Sequence, residues 1–224
     1  MKKFSTFREA LFLVTHPSLW FRRYLSQSDF SPNPIEQFTR WYAEVQKGLW
    51  GEFPNWLCLS TIDEQGMPDG RIVLLKSYDE RGFVFYTNTT SRKGASLERH
   101  PATAMTFFWE RFQRQVRISG SCEQVAPEEA DRYFSTRPRA SQIGAWASLQ
   151  SQELSDRSKL EERISEFEQK FANKPVPRPE YWTGYRLIPQ RFEFWELRMS
   201  RLHDRFEYTV GVKPGEWNIR QLYP

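Results

Sequence analysis

Apolar residues change their spacing along the chain, and each change marks a switch between helical and extended backbone. Ile35, Phe38, Tyr42, Val45 and Leu49 recur every three or four residues, which is the period of one helix face. Asn33 and Pro34 supply an N-cap and a first-turn proline, and Gly48 a stop. From Trp56 the period drops to two, so 57–62, 71–78 and 83–87 read as strands. Asp63-Glu64-Gln65-Gly66 and Asp79-Glu80-Arg81-Gly82 lie between them as natural hairpin turns. A short helix is predicted from Ser91 to His100, where Pro101 ends it, followed by strands over 103–109 and 113–125. Helical spacing returns over 127–134 and on towards Trp146. It recurs over 155–171, with Leu160, Ile164, Phe167 and Phe171 on one stripe. Strands are predicted again at 185–188, 192–197, 205–210 and 217–222, while 5–24 reads as a short helix and an irregular arm. The expectation is a mainly β fold with peripheral helices: sequential antiparallel strands in a closed or half-closed, Greek-key-like barrel. The chain divides into an arm with a short helix over 1–33 and a single domain over 34–224.

Composition adds limits. Apolar residues are only 39% of the 224, but 18 Phe, 9 Tyr and 9 Trp are enough for a sizeable core, since each buries about 150–250 Å². No apolar run approaches the roughly 18 residues that span a bilayer. Arg8 and Glu9 break the apolar start that follows Met1-Lys2-Lys3-Phe4, so neither a signal peptide nor membrane insertion is expected. Cys58 and Cys122 give no disulfide framework and read as buried thiols of a cytoplasmic protein. The net charge of +4 comes without a Lys/Arg block, which suits a bound anionic small molecule better than nucleic acid. His16, His100 and His203 lie far apart, and no metal-ligand motif is present, so no metal site is expected. None of the 11 glycines forms a dinucleotide fingerprint, a P-loop or a nucleophile elbow.

Several basic and hydroxyl clusters remain. Tyr86-Thr87-Asn88-Thr89-Thr90-Ser91-Arg92-Lys93 joins a strand to a helix, and it puts two cations in a first turn where the helix dipole prefers anions. A bound anion would reverse that sign; two solvated side chains are the alternative. Tyr133, Arg137, Arg139 and Ser141 form a second candidate phosphate cup, or else an exposed Arg-Pro turn. Lys76 ends a strand that begins at Arg71, and a lysine there commonly reaches to water. Gln115 and Arg117 share one face of their strand. Arg201-Leu202-His203-Asp204-Arg205, if extended, sets Arg201, His203 and Arg205 on one face with Trp195 as a flat wall nearby. Together these features suit a phosphorylated cofactor and a phosphorylated substrate.

In order and spacing, the segments resemble the pyridoxine/pyridoxamine 5′-phosphate oxidase family over roughly 34–224. The matching stretches are Arg71-Ile72-Val73-Leu74-Leu75-Lys76, Phe85-Tyr86-Thr87-Asn88, Ser91-Arg92-Lys93, Arg114-Gln115-Val116-Arg117, the run from Tyr133 to Trp146, Gln150-Ser151, Glu193-Phe194-Trp195 and Arg201 to Arg205. The resemblance implies an FMN-binding split β-barrel and a homodimer with FMN at its interface. It implies that Arg71, Ile72, Val73, Leu74, Leu75, Lys76, Tyr86, Thr87, Arg92, Lys93, Gln115, Gln150, Ser151, Trp195 and Arg205 hold FMN. Lys76, Tyr133, Arg137 and Ser141 would take the substrate phosphate, and Arg201, Leu202 and His203 the pyridine ring, with Arg201 and His203 as the catalytic pair. The implied reaction is oxidation of pyridoxamine or pyridoxine 5′-phosphate by O2 to pyridoxal 5′-phosphate, with release of hydrogen peroxide. A flavin reductase of the same fold, or a non-catalytic flavin or pyridoxal phosphate binder, is the competing reading. Three departures stand out. Glu196-Leu197 replaces the family's usual Gln-Gly and would bring a charge to the flavin if it faced it. The arm matches poorly, with Tyr24 and Arg22 or Arg23 as its candidates for closing over substrate. Trp56-Leu57-Cys58 replaces a more usual strand start.

Overall fold

A computed structural model of the chain describes residues 23–48 and 53–224. The expected helix over 5–24 falls outside the described residues except for Arg23 and Tyr24, and so do His16, Arg22 and Leu49. The described residues form two compact units. One draws on the chain up to Pro54, Phe107–Ile118 and Arg191–Pro224, the other on Asn55–Thr106 and Ser119–Gln190.

Among the described residues there are nine strands and five α-helices. In chain order they are α1 (Pro34–Gln46), β1 (Trp56–Ile62), β2 (Pro68–Leu74), β3 (Ser77–Asp79), β4 (Gly82–Asn88), α2 (Arg92–Arg99), β5 (Ala102–Trp109) and β6 (Arg114–Gln124). There follow α3 (Pro127–Thr136), α4 (Arg139–Ala147), α5 (Arg157–Lys170), β7 (Trp182–Glu196), β8 (Asp204–Val210) and β9 (Trp217–Gln221). The strands hydrogen-bond in the order β2-β1-β5-β6-β7-β4-β3, with β8 joining β7 and β9 joining β8.

In the unit that contains β1 to β4, the β1–β2 hairpin pairs Trp56 with Leu74 through to Ile62 with Pro68. Burial along β1 alternates strictly, as a strand with one core face requires. The turn between the two strands closes through the Gly66 N–H on the Asp63 carbonyl, with Gly66 at a φ of 79°. Ser91 caps α2 by accepting from the Gly94 N–H. Helices α3, α4 and α5 gather Phe134, Ile143, Phe171, Val176 and Trp182 into one core, while Val84, Val125 and Ala130 form another.

The other unit is built on aromatic rings. Asn33 caps α1 by accepting from the Ile35 N–H, and the helix buries Phe38, Trp41 and Tyr42. Trp41 meets Phe194 edge-on at 5.2 Å, and Phe38 meets Phe107 at 5.1 Å; such pairs add to what ring burial alone contributes. In this unit β7 pairs with β8 from Arg191↔Thr209 to Glu196↔Asp204.

The structure corrects the predicted elements at four places. The strand expected over 71–78 is two strands, β2 and β3. Between them the Leu75 N–H donates to Asn55 and the Lys76 N–H to Val84, so the ladder partner changes there. The helical region after Pro127 is two helices, because Pro138 cannot continue α3 and Arg137 takes an extended ψ of 146°. The strands expected at 185–188 and 192–197 are one, β7. Pro189 is tolerated because β7 pairs with β4 only as far as Leu187 and with β8 only from Arg191. Finally, the extended course expected through Arg201 is a short 3-10 turn, Met199–Arg201, with Ser200 and Arg201 at φ of 56° and 61°.

Candidate functional site

The β4–α2 junction and the α3–α4 break meet around a cavity of about 550 Å³. Ile72, Val73, Leu74 and Lys76 line it from one side. Tyr86, Thr87, Asn88 and Lys93 line another, and Tyr133, Arg137, Ser141, Gln150 and Trp182 complete the wall. Leu75 is buried in the core instead, 4% exposed. All four side chains of the expected phosphate cup (Lys76, Tyr133, Arg137 and Ser141) are therefore together. Arg139 is not with them: it donates to the carbonyls of Phe171 and Lys174, just beyond α5.

Lys93 is the most constrained cation here. Its Nζ donates to Gln150 Oε1 at 2.8 Å, to Thr87 Oγ1 at 3.3 Å and to Ser91 Oγ at 3.4 Å. Burial, and then the nearby Arg71 charge, push its pKa below the ordinary lysine value. Arg71 is anchored by Asp69 at 2.6 Å and by Thr61 Oγ1 at 2.8 Å. Asp69, Arg71, Arg92, Lys93 and Ser151 surround an adjoining cleft of about 360 Å³. Three cations facing one acid make that cleft a place for an anion, and Ser151, with φ at 72°, presents its backbone from a left-handed turn.

Arg137 lies over the ring of Trp182 at 4.7 Å and that of Phe134 at 5.5 Å. Its Nη1 is buried with no hydrogen-bond partner among the described residues. A buried guanidinium donor without an acceptor is costly unless a ligand supplies one, and burial lowers its pKa. Tyr86 stacks on Tyr133 at 4.1 Å and on Trp182 at 5.1 Å, and burial pushes its phenol up to about 12. The sequence reading missed Trp182, which opens β7 ahead of the strand expected from 185 and has no motif to mark it. It also missed Asp69, whose only signal is its place two residues before Arg71.

Gln115, Trp195, Arg201, Leu202, His203 and Arg205 belong to the other unit. Arg205 pairs opposite Trp195 across β7 and β8. Its Nε donates to Glu193 at 2.9 Å and its Nη1 to the Tyr223 carbonyl at 3.0 Å. The His203 ring lies 4.6 Å from that of Trp195, and its Nδ1 accepts the Arg198 N–H at 3.2 Å. Burial, Arg201 and Arg205 together lower the His203 pKa, so the neutral ring is favoured. The left-handed residues Ser200 and Arg201 cost on the order of 1 kcal/mol each. Glu196 does not stand alone: it is fully buried and binds Arg114 at 2.6 Å and Arg198 at 2.8 Å.

Comparison with known proteins shows the family to which the chain belongs. The pyridoxamine 5′-phosphate oxidase family profile matches residues 51–171, and that of the pyridoxine 5′-phosphate oxidase C-terminal dimerisation region matches 182–224. The chain belongs to the pyridoxamine 5′-phosphate oxidase family. It is 49% identical over 200 residues to the pyridoxine/pyridoxamine 5′-phosphate oxidase of Cupriavidus taiwanensis, covering 89% of this chain and 93% of that one. The oxidase of the same name from Myxococcus xanthus is 47% identical over 193 residues, covering 86% and 92%. Among solved structures, PhzG from Burkholderia lata, crystallised with tetrahydrophenazine-1-carboxylic acid, superposes with a TM-score of 0.83. It is 31% identical and covers 91% of this chain and 98% of its own. An FMN-binding protein from Nostoc punctiforme shares the fold at a TM-score of 0.68 and 16% identity, covering 87% of this chain and 100% of its own. The family's split-barrel fold, expected from the sequence, is thus the fold of this chain. Among the described residues no helix is long and apolar enough to cross a membrane.

Proposed function

We propose that the protein is an FMN-dependent oxidase that converts pyridoxamine and pyridoxine 5′-phosphates to pyridoxal 5′-phosphate, acting in the cytoplasm as a homodimer with FMN at the subunit interface. The observation that carries this reading is the cavity where Lys76, Tyr133, Arg137 and Ser141 converge beside a second, cation-lined cleft. Two neighbouring anion sites suit a reaction in which cofactor and substrate each bear one phosphate. The names of the close relatives support it as well.

The residues fit FMN on their own chemistry. Arg71, Arg92 and Lys93 oppose a single carboxylate, and a bound dianion offsets the burial and the Arg71 charge that disfavour the Lys93 ammonium. Thr87, Gln150 and Ser151 add hydroxyl, amide and backbone groups beside them. Ile72, Val73, Leu74 and Tyr86 offer apolar wall and backbone, Leu75 and Lys76 belong to the same segment, and the family resemblance alone adds Gln115, Trp195 and Arg205 to the cofactor residues. When bound, FMN would supply the two-electron acceptor for a hydride from the substrate carbon that bears the amine or alcohol, with O2 as the final oxidant, reduced to hydrogen peroxide.

The chain's own residues bind and orient. Arg137 Nη1 donates to the substrate phosphate, with Lys76, Tyr133 and Ser141 around it. Leu202 and His203 cover the pyridine ring, and neutral His203 offers an Nε2–H, since its Nδ1 already accepts a backbone N–H. Arg201 supplies positive charge to the reacting end. Arg137→Ala is expected to raise KM for pyridoxine 5′-phosphate roughly 10- to 100-fold, the worth of one hydrogen bond to a charged group. Steady-state assays of pyridoxal 5′-phosphate release measure this, with unphosphorylated pyridoxine as control. An equal change for both substrates would contradict the assignment of Arg137 to the phosphate.

A further inference from the structure

One polar cluster, exposed at Glu44 and buried from Glu196 onwards, has no part in the proposed binding of cofactor or substrate. It is an alternating ladder of charge: Glu44, Arg114, Glu196, Arg198 and Asp204. Arg114 Nη1 donates to Glu44 at 2.6 Å and its Nε to Glu196 at 2.6 Å. Arg198 Nη2 binds Glu196 at 2.8 Å, and its Nε donates to Asp204 at 2.6 Å. The Glu196, Arg198 and Asp204 side chains are only 2–5% exposed. Buried charges of this kind are tolerated when every one is paired, and each pair depends on its neighbours.

Arg198 touches two segments distant in sequence. Through Asp204 it joins the two ends of the loop that presents Arg201 and His203, and its backbone N–H fixes His203 Nδ1 as an acceptor. Within that closed loop Ser200 and Arg201 have left-handed backbone. Arg198 Nη2 also donates to the Arg23 carbonyl at 2.8 Å, and the guanidinium lies 5.5 Å from the Tyr24 ring. Asp204 accepts the Leu25 N–H at 2.9 Å on the same oxygen that Arg198 holds.

We propose that Arg198 is a positioning residue that couples the seating of Arg23–Leu25 to the shape of the Arg201–His203 loop, so that neither forms without the other. Such a coupling is reciprocal: loosening the arm loosens the loop to the same degree. The coupling itself follows from the contacts, while its effect on turnover rests on the function proposed above.

Leu25→Pro tests it from the arm. This change removes the N–H donated to Asp204 and leaves the charge ladder whole; Leu25→Ala, which keeps the N–H, is its control. Hydrogen exchange on the FMN-loaded protein should then quicken in 199–203 as well as in the arm, and Leu25→Ala should behave as the parent. Arg198→Met should loosen both segments, and Arg198→Lys should restore part of the protection. The ¹⁵N signals of His203 should move from the single Nε2–H tautomer in the parent to a mixture in Arg198→Met and Leu25→Pro. kcat/KM should fall about 10- to 100-fold with FMN affinity unchanged, because misplacing a group near the substrate is costly without any lost contact to the cofactor. If Arg198→Met does not fold, Leu25→Pro decides alone. A loosened arm over an unaltered loop and an unaltered His203 tautomer would overturn the proposal. A protein that turns over none of the B6 phosphates in any variant would refute the function and leave the exchange and tautomer result standing.

Discussion

Lys93 holds its charge where burial and Arg71 both disfavour it, and three side-chain oxygens from Gln150, Thr87 and Ser91 only partly offset that cost. An anion in the cleft removes the conflict, which gives two expectations. Lys93→Met should weaken FMN binding roughly 10- to 100-fold, again the worth of a hydrogen bond to a charged group. The second concerns pH. Because the free protein's Lys93 has a pKa below 10.5 and a bound dianion raises it again, binding takes up a proton between those two values. FMN affinity should therefore fall as pH rises, beginning below 10.5, and the fall should vanish in Lys93→Met. Quenching of FMN fluorescence across an alkaline pH series measures both. At the same scale, Glu196 shows what a single letter conceals. As a sequence it reads as a charge brought to the flavin if it faces it; in the structure it is buried and paired with Arg114 and Arg198.

The β4–α2 junction is the element that delivers Thr87, Arg92 and Lys93 together, and Gly94 is what lets it close. A Cβ at that position would lie 2.3 Å from the Thr89 carbonyl oxygen and 2.5 Å from that of Asn88. Gly94→Ala must push the helix off the strand end, so it should destabilise the protein by about 3 kcal/mol. The melting temperature should drop by roughly 5–10 °C, and FMN retention should fall with it; an unshifted melting temperature would mean that the junction has slack the geometry does not show. The cap and turn that frame this junction were legible in the sequence because Ser91, Pro101 and the period-two run before them are local signals. The breaks at Leu75–Lys76 and after Arg137 were less so. At the first, the strand changes partner, which depends on the Asn55 and Val84 carbonyls; at the second, the Arg-Pro step marked a boundary, but the helical region was still expected to run on towards Trp146. That 185–188 and 192–197 are one strand was not legible either: Pro189 falls where β7 passes from one partner strand to another, and pairing of that kind is set by tertiary structure. The left-handed turn at Ser200 and Arg201 has no sequence signal at all, since neither residue is glycine and its support comes from Arg198 and Asp204.

For the whole molecule, two anion sites of different construction define the function. One is lined by cations around the start of α2, the other by Arg137 and its aromatic neighbours. The match of 51–171 to the oxidase family and of 182–224 to its dimerisation region supports the proposal that both serve a flavin enzyme built from two copies of the chain. No acid–base pair is needed in such an enzyme: the cofactor carries the redox step while the protein binds, orients and tunes charge. The direct test is the visible spectrum of the FMN-loaded protein, recorded without oxygen before and after pyridoxine 5′-phosphate and, separately, pyridoxamine 5′-phosphate are added. Bleaching of the flavin band by either substrate, with recovery on admitting air, is the expected result. A band that neither compound bleaches would contradict the oxidase reading and leave a flavoprotein of this fold acting on another substrate or only binding.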